Sequence, residues 1–276
     1  MGSRTAAFLL LVLAAARGDS QTVPLTTETA ATGPARRTVF ETAAEAIDNE
    51  PSYVTGAERL RWDGPLLRLV YSPASNVELD IDWVVRVGAG TEPGQGSVSD
   101  YGDVTLRAKW RFLEGRPGRP HLAARFGVTL PQTSYSDTSG RALGLGPNTL
   151  RAFAQGLATF PLGSRGRLHA NLGFLIFDEV FRPHDQRDFM LYGLAGERDL
   201  GAGVELLAEV AGRTGDGEPG AEVSAEARAG LRFGKGRVRG VAAVRRGLAT
   251  ADGTWGGSLG LTWTLRGGGG AAPVAP

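Results

Sequence analysis

Between Val77 and Phe112 apolar residues recur at every second position with mostly ionisable residues between them, a period that suits an extended strand with two unlike faces. Val77, Leu79, Ile81, Trp83, Val85 and Val87 share one face, and Glu78, Asp80, Asp82 and Arg86 share the other. After a glycine-rich loop, Val104, Leu106, Ala108, Trp110 and Phe112 stand opposite Asp103, Arg107, Lys109 and Arg111. Only Val84 and Thr105 interrupt the charged rows. In a soluble sheet the apolar face covers a core and the charged face meets bulk water. In a membrane-spanning barrel the apolar face meets lipid and the charged face lines the lumen.

The rest of the chain favours the barrel. Strand-like segments follow one another at Arg36–Ala46, Glu58–Tyr71, Val77–Val87, Tyr101–Leu113, His121–Leu130, Thr149–Phe160, Arg167–Phe177, Asp188–Gly196, Ala202–Gly212, Ala221–Phe233, Arg237–Leu248 and Thr254–Leu265. Most are long enough for a tilted membrane strand, which needs about 9 to 11 residues. Their connections alternate. Short ones are Pro73–Asn76, Glu114–Pro120, Leu162–Gly166, Glu197–Gly201 and Gly234–Gly236, and longer ones lie between. An even strand number with short turns at one end and long loops at the other is the pattern of outer-membrane barrels. The expected fold is therefore an all-β, antiparallel up-and-down transmembrane barrel of twelve strands over residues 36–265, with both ends of the chain on the short-turn side. A soluble periplasmic β-barrel that turns its apolar residues inward is the competing architecture.

Composition removes several functions. Glycine contributes 41 of 276 residues and cysteine none, so disulfides, thiolate nucleophiles and cysteine metal sites are excluded. Lys plus Arg number 30 against 29 for Asp plus Glu, which gives no excess of positive charge for nucleic acid. Residues 1–16 read as a signal peptide, with Arg4 in the n-region, Ala6–Leu13 as the h-region and Ala14–Ala16 at the cleavage site. Residues 17–35 are Thr/Ala/Pro-rich without periodicity and are expected to form a flexible leader; residues 266–276 are expected to form a disordered Gly/Ala/Pro tail.

Alternation in further strands extends the predicted lumen lining to Arg125, Arg151, His169, Glu205, Glu209 and Arg228, beside Glu78, Asp80, Asp82, Arg86, Asp103, Arg107, Lys109 and Arg111. Trp62, Tyr71, Trp83, Trp110, Phe112, Phe160, Trp255 and Trp263 lie toward strand ends, where aromatic girdles meet lipid headgroups. The phase slips at Gly64–Pro65, which reads as a bulge, and does not settle in Phe189–Ala195 or Val238–Leu248.

Several segments resemble a family of bacterial outer-membrane barrels described as transporters or as components of the meta-cleavage pathway of phenol degradation. The resemblance is carried by Pro24–Ala30, the hairpin Leu67–Tyr71 through Asn76–Leu79, Gly102–Trp110, Leu122–Pro131, Asn171–Gly173 and Glu205–Arg213. It implies an outer-membrane location, lipid and the outer-membrane assembly machinery as partners, and small hydrophobic or aromatic solutes as cargo. Barrels of this architecture usually finish on an aromatic residue; here Trp263-Thr264-Leu265 is followed by Arg266 and the tail.

The acidic row Glu78, Asp80 and Asp82 and the basic row Arg107, Lys109 and Arg111 stand on neighbouring strands, as a salt-bridge network or as a charged constriction. The expected function is a passive channel for small solutes, with a plugged structural barrel or an outer-membrane lipid hydrolase as alternatives. His121 and His169 have lumen parity and His184 sits in a loop, without a serine motif suited to an outer-face dyad. No catalytic residues, metal ligands or cofactor are assigned, and the glycines from Gly140 to Gly146 lack the lysine and helix of a phosphate loop.

Overall fold

The computed structural model describes residues 25–51, 58–90, 97–116, 118–133, 145, 148–178, 186–215, 223–249 and 252–266. The signal region 1–16, the first part of the leader and tail residues 267–276 lie outside them. The described residues form fourteen strands in one antiparallel sheet: β1 (Arg37–Pro51), β2 (Glu58–Ala74), β3 (Val77–Val84), β4 (Val87–Gly90), β5 (Ser97–Asp100), β6 (Val104–Leu113), β7 (His121–Leu130), β8 (Arg151–Leu162), β9 (Gly166–Asp178), β10 (Gln186–Gly201), β11 (Val204–Gly215), β12 (Ser224–Phe233), β13 (Val238–Gly247) and β14 (Trp255–Arg266). Except at β3/β4 and β5/β6, neighbours in sequence are neighbours in the sheet; β3 pairs with β6, β4 with β2, and β1 pairs with both β2 and β14, which closes the barrel.

Twelve strands span this barrel. β3 and β4 are two halves of one spanning strand, as are β5 and β6, and the β4–β5 hairpin continues the wall where the sequence suggested only a loop from Gly88 to Asp100. The β1–β14 and β1–β2 pairings close the sheet on itself, the condition for a sheet to sit in hydrocarbon, and among the described residues the short strand β5 at the long-loop end pairs with β4 alone. The expected bulge is present: the β1–β2 register shifts between Ala43 and Glu45, facing Gly64–Pro65.

The burial pattern is inside out. Phe174 and Leu259 are 67% and 68% exposed on the outer face, whereas His169 and Lys109 are 0% and 3% exposed on the inner one. Leu79, Ile81, Leu106, Phe126, Leu172 and Leu231 also face outward, and Glu78, Asp80, Arg125, Asn171, Glu209, Arg228 and Arg232 are buried within. This is the polarity of a barrel whose solvent is lipid and the reverse of a soluble barrel. The eight predicted girdle aromatics are all exposed on the outer face. Tyr71, Trp110, Phe112, Phe160 and Trp263 lie toward the short-turn end, and Trp62, Trp83 and Trp255 toward the long-loop end. Trp110 and Phe112 make a ring contact at 5.7 Å, and Trp263 stands opposite Phe40 in the β1–β14 register at the seam.

One predicted lumen residue is displaced. Arg86 sits in the break between β3 and β4, where Gly64 N–H donates to the Arg86 carbonyl and Val85 N–H donates to the Pro65 carbonyl. The break shifts the parity: Val87 and Ala89 become the buried side, and Arg86 is exposed with its guanidinium 4.6 Å from the Tyr101 ring centre. It does not continue the acidic row.

Candidate functional site

The described part of the leader, residues 25–35, does not behave as a flexible arm. From the start of β1 it turns into the barrel and crosses the lumen from β2 and β3 to the opposite wall at β10, β11 and β13. Leu25, Thr27, Glu28, Thr29 and Ala30 are all buried. A segment without periodicity carries no packing signal of its own, so its order comes from the wall around it.

Each wall contact can be traced to a strand. Near the turn between β2 and β3, Gly33 N–H donates to Glu78 (2.7 Å) and Thr32 Oγ1 donates to the Ser75 carbonyl (2.5 Å). At β8, Ala30 N–H donates to Thr159 Oγ1 (2.8 Å), while the Ala30 methyl packs on Ala123 and Leu157. On β9 the Asn171 amide, oriented to satisfy both groups, accepts from Glu28 N–H (2.6 Å) and donates to the Glu28 carbonyl (2.9 Å). On β11 the Glu209 carboxylate accepts the Thr26 and Thr27 N–H groups at 2.9 and 2.8 Å. Leu25 ends the crossing in an apolar patch of Ala195, Leu207 and Val241. Thr27 lies against Gly193, where a Cβ would come within 2.4 Å of Thr27 Oγ1.

Glu28 is the centre of this arrangement. Its carboxylate lies 3.0 Å from Arg68, 3.3 Å from Arg125 and 3.9 Å from Lys109. Arg68 in turn reaches Glu41 (3.7 Å), Asp80 (3.5 Å) and Asp82 (3.3 Å), Arg107 reaches Asp80 (2.8 Å) and Asp82, and Lys109 reaches Glu78 (2.5 Å). The predicted pairing of the acidic and basic rows is therefore present, and Glu28 and Arg68 join it to the segment. Burial alone would raise the Glu28 pKa, but Arg125, Arg68 and Lys109 outweigh it and hold the carboxyl well below the usual carboxylate range.

A depressed docked pKa means that the charge on Glu28 favours docking at every pH above its free value of 4.5, and that this contribution is lost only as pH falls through the lower docked value. Protection of the segment from added protease is accordingly expected to be flat from about pH 8 to about pH 5. Release beginning within that window would show that another group controls docking.

Other predicted residues fall into separate clusters. Arg228 bridges Glu45 (3.0 Å), Glu226 (2.7 Å) and Glu209 (3.7 Å), and Arg245 joins through Glu226 (3.1 Å). Glu205 pairs with Arg232 (2.6 Å), which also meets Glu197 (3.2 Å). Asp103 leaves the basic row for the long-loop rim, where it accepts from Gln132 N–H, Thr133 N–H and Arg151. Arg111 lies at the opposite end, bonded to the Ser75 carbonyl (2.9 Å) and Glu114 (3.1 Å). His169 has Thr159 Oγ1 2.9 Å from its Nδ1 and Glu197 3.6 Å from its Nε2. That line has the order of a nucleophile, base and acid, yet Thr159 is 1% exposed and its oxygen already accepts from the docked segment. The sequence missed Glu28, Glu41, Glu45, Arg68, Glu197 and Arg245. Strand parity alone could have placed Glu41 and Arg68 beside Asp80 once the bulge at Gly64–Pro65 was counted.

Comparison with known proteins decides the family. The family described as "Putative MetA-pathway of phenol degradation" matches residues 35–271. The chain belongs to this family. No curated protein matches it in sequence. Among solved structures, the KdgM porin in complex with disordered oligogalacturonate is similar over 83% of this chain and 99% of that one, with a TM-score of 0.53 at 6% identity. The translocator domain of the autotransporter NalP from Neisseria meningitidis is similar over 84% of this chain and 89% of that one, with a TM-score of 0.52 at 14% identity. At these identities the likeness is one of fold: a closed antiparallel barrel of the outer-membrane type.

Proposed function

We propose that this member of the family is an outer-membrane channel for the diffusion of small solutes, and that the structure represents its closed state, with residues 25–33 lying across the lumen. The short turns and the start of the segment would then face the periplasm. The observation that carries this reading is the polar seating of the segment in a barrel with an apolar exterior. Its hydrogen bonds and ion pairs go to the wall from outside every strand ladder, so water can take their place with the ladders paired as they are, which suits a stopper better than a structural core. Hydrophobic or aromatic cargo is supported by the family's description and by the resemblance of the sequence segments. A non-enzymatic role is supported by the burial of Thr159 and His169 beneath the segment.

A porin-deficient bacterial host producing the chain tests this. The protein is expected in the outer-membrane fraction as a heat-modifiable band, and the host is expected to take up one or more members of a panel of small aromatic solutes faster than the empty host. Absence of faster uptake for every solute, with the band present, would favour a permanently plugged structural barrel. Neutralising Asp80, Asp82, Arg107 and Lys109 together should also change the ion selectivity of any conducting form, because these charged groups sit on the inner face of the wall. Unchanged selectivity in planar bilayers would place the ion path elsewhere.

A further inference from the structure

Arg68, Lys109 and Arg125 come from β2, β6 and β7, and their side chains are only 7%, 3% and 6% exposed. They differ in what else neutralises them. Arg68 touches Glu41, Asp80 and Asp82, and Lys109 touches Glu78. Among the described residues, Glu28 is the one carboxylate within ion-pair distance of Arg125; Asp80 acts on it from farther away, and the remaining contacts of Arg125 are the neutral Gln155 amide (3.4 Å) and the face of Phe153 (5.4 Å). A buried guanidinium without a counter-charge is costly. When Glu28 leaves, the wall therefore keeps a place for one negative charge at Arg125.

The surroundings describe what could fill that place. Arg125 and Gln155 face each other in the β7–β8 register, and two residues along the same ladder stand Ala123 and Leu157, the apolar pair that receives the Ala30 methyl. Phe153 completes an apolar border on the other side of Arg125. The Asn171 amide, engaged by the Glu28 backbone in the docked state, offers one donor and one acceptor nearby. Asp80 and Asp82 already pair with Arg68 and Arg107, so those two cations stay neutralised when Glu28 leaves and the vacancy is for one negative charge.

We propose that Arg125, assisted by Arg68 and Lys109, is a luminal site for solutes that carry one carboxylate on a small apolar body, and that Glu28 is its tethered occupant. The proposal rests on the channel reading, since such a solute has to reach the lumen. Transport and self-closure then use the same groups: a monocarboxylate competes with Glu28 for Arg125, and displacement of the segment accompanies loading of the site. The depressed pKa of Glu28 agrees with a place that selects the ionised form of a carboxyl group.

Full-length protein carrying both Glu28→Gln and Gly193→Val provides the test, because the first change removes the tethered carboxylate and the second crowds Thr27 out of its seat. Benzoate is the probe and benzyl alcohol its uncharged counterpart, both titrated calorimetrically into detergent-solubilised barrel whose heat-modifiable migration is intact. The double variant is expected to bind benzoate at least about tenfold more tightly than the wild type and benzyl alcohol no better than the wild type does. Adding Arg125→Gln to the double variant should remove that gain. Absence of benzoate binding, equal gains for the two probes, or a gain that survives Arg125→Gln each overturns the site. Benzoate binding by a barrel that never conducts would overturn the channel and leave the site standing; conduction without benzoate binding would do the reverse.

Discussion

Replacing Leu25–Gly33 with a Gly/Ser stretch of the same length is expected to turn a mostly closed barrel into a steadily conducting one. The segment crosses from Glu78 on one wall to Leu207 and Val241 on the other, and among the described residues these nine positions make the contacts that hold it across the lumen. Burial of Leu25 contributes about 1.5–3 kcal/mol to docking. Breaking the buried pairing of Glu28 costs about 3–5 kcal/mol, and each 1.4 kcal/mol is about a tenfold change in an equilibrium. Glu28→Gln alone should therefore raise the open fraction about a hundredfold to a few thousandfold, and the full replacement should raise it further. Planar-bilayer recording separates these cases: rare openings for the wild type, frequent ones for Glu28→Gln and continuous current for the replacement. Equal conductance in all three would mean that the lumen is sealed, or open, for reasons unrelated to the segment.

The legibility of this chain in its sequence follows the same division. Wherever the wall faces its own charged lumen, alternation is clean: Glu78, Asp80, Lys109, Arg125, Glu209 and Arg228 are buried on the inner side, and Arg107 pairs with Asp80 there. Phase could not be read in β10 and β13, and the structure supplies the reason. Phe189, Ala195 and Val241 are apolar residues turned inward, while Met190, Leu194, Val238 and Val244 are apolar residues turned outward, so both faces look alike. Ala195 and Val241, with Leu207 of β11, form the patch that receives Leu25. The polar lumen becomes apolar where Leu25, at one end of the segment, seats, and the local period is lost there. The segment itself was illegible for a complementary cause: its conformation is dictated by Glu209, Asn171, Thr159 and Glu78, which lie 45 to 183 residues away in sequence for the contacts made by Gly33 and Thr26. Arg86 failed for a third reason, since a two-residue break between β3 and β4 reverses parity without any proline or glycine at the break to announce it.

Arg68→Met is expected to be the most damaging single change in the wall. Arg68 is 6% exposed and lies within ion-pair distance of Glu28 (3.0 Å), Glu41 (3.7 Å), Asp80 (3.5 Å) and Asp82 (3.3 Å), so it ties β1, β2, β3 and the luminal segment together. Methionine fills comparable space and leaves those carboxylates facing one another across a buried interval. Removing one partner of a buried pair costs about 3–5 kcal/mol, a large part of the about 5–15 kcal/mol that separates folded from unfolded protein. Arg68→Lys should recover part of the loss, because a point charge replaces a planar group that reaches several acceptors at once. Arg246→Met is the control: its guanidinium lies 4.9 Å from the exposed Trp255 ring on the outer face, and its loss should cost no more than about 1 kcal/mol. Urea unfolding in detergent, followed by loss of heat-modifiable migration, should rank the variants as Arg68→Met, then Arg68→Lys, then Arg246→Met in order of decreasing damage. If Arg68→Met unfolds at the same urea concentration as Arg246→Met, water in the lumen is screening the acidic row, and the charged wall is free to serve the passage of solutes without bearing on the integrity of the barrel.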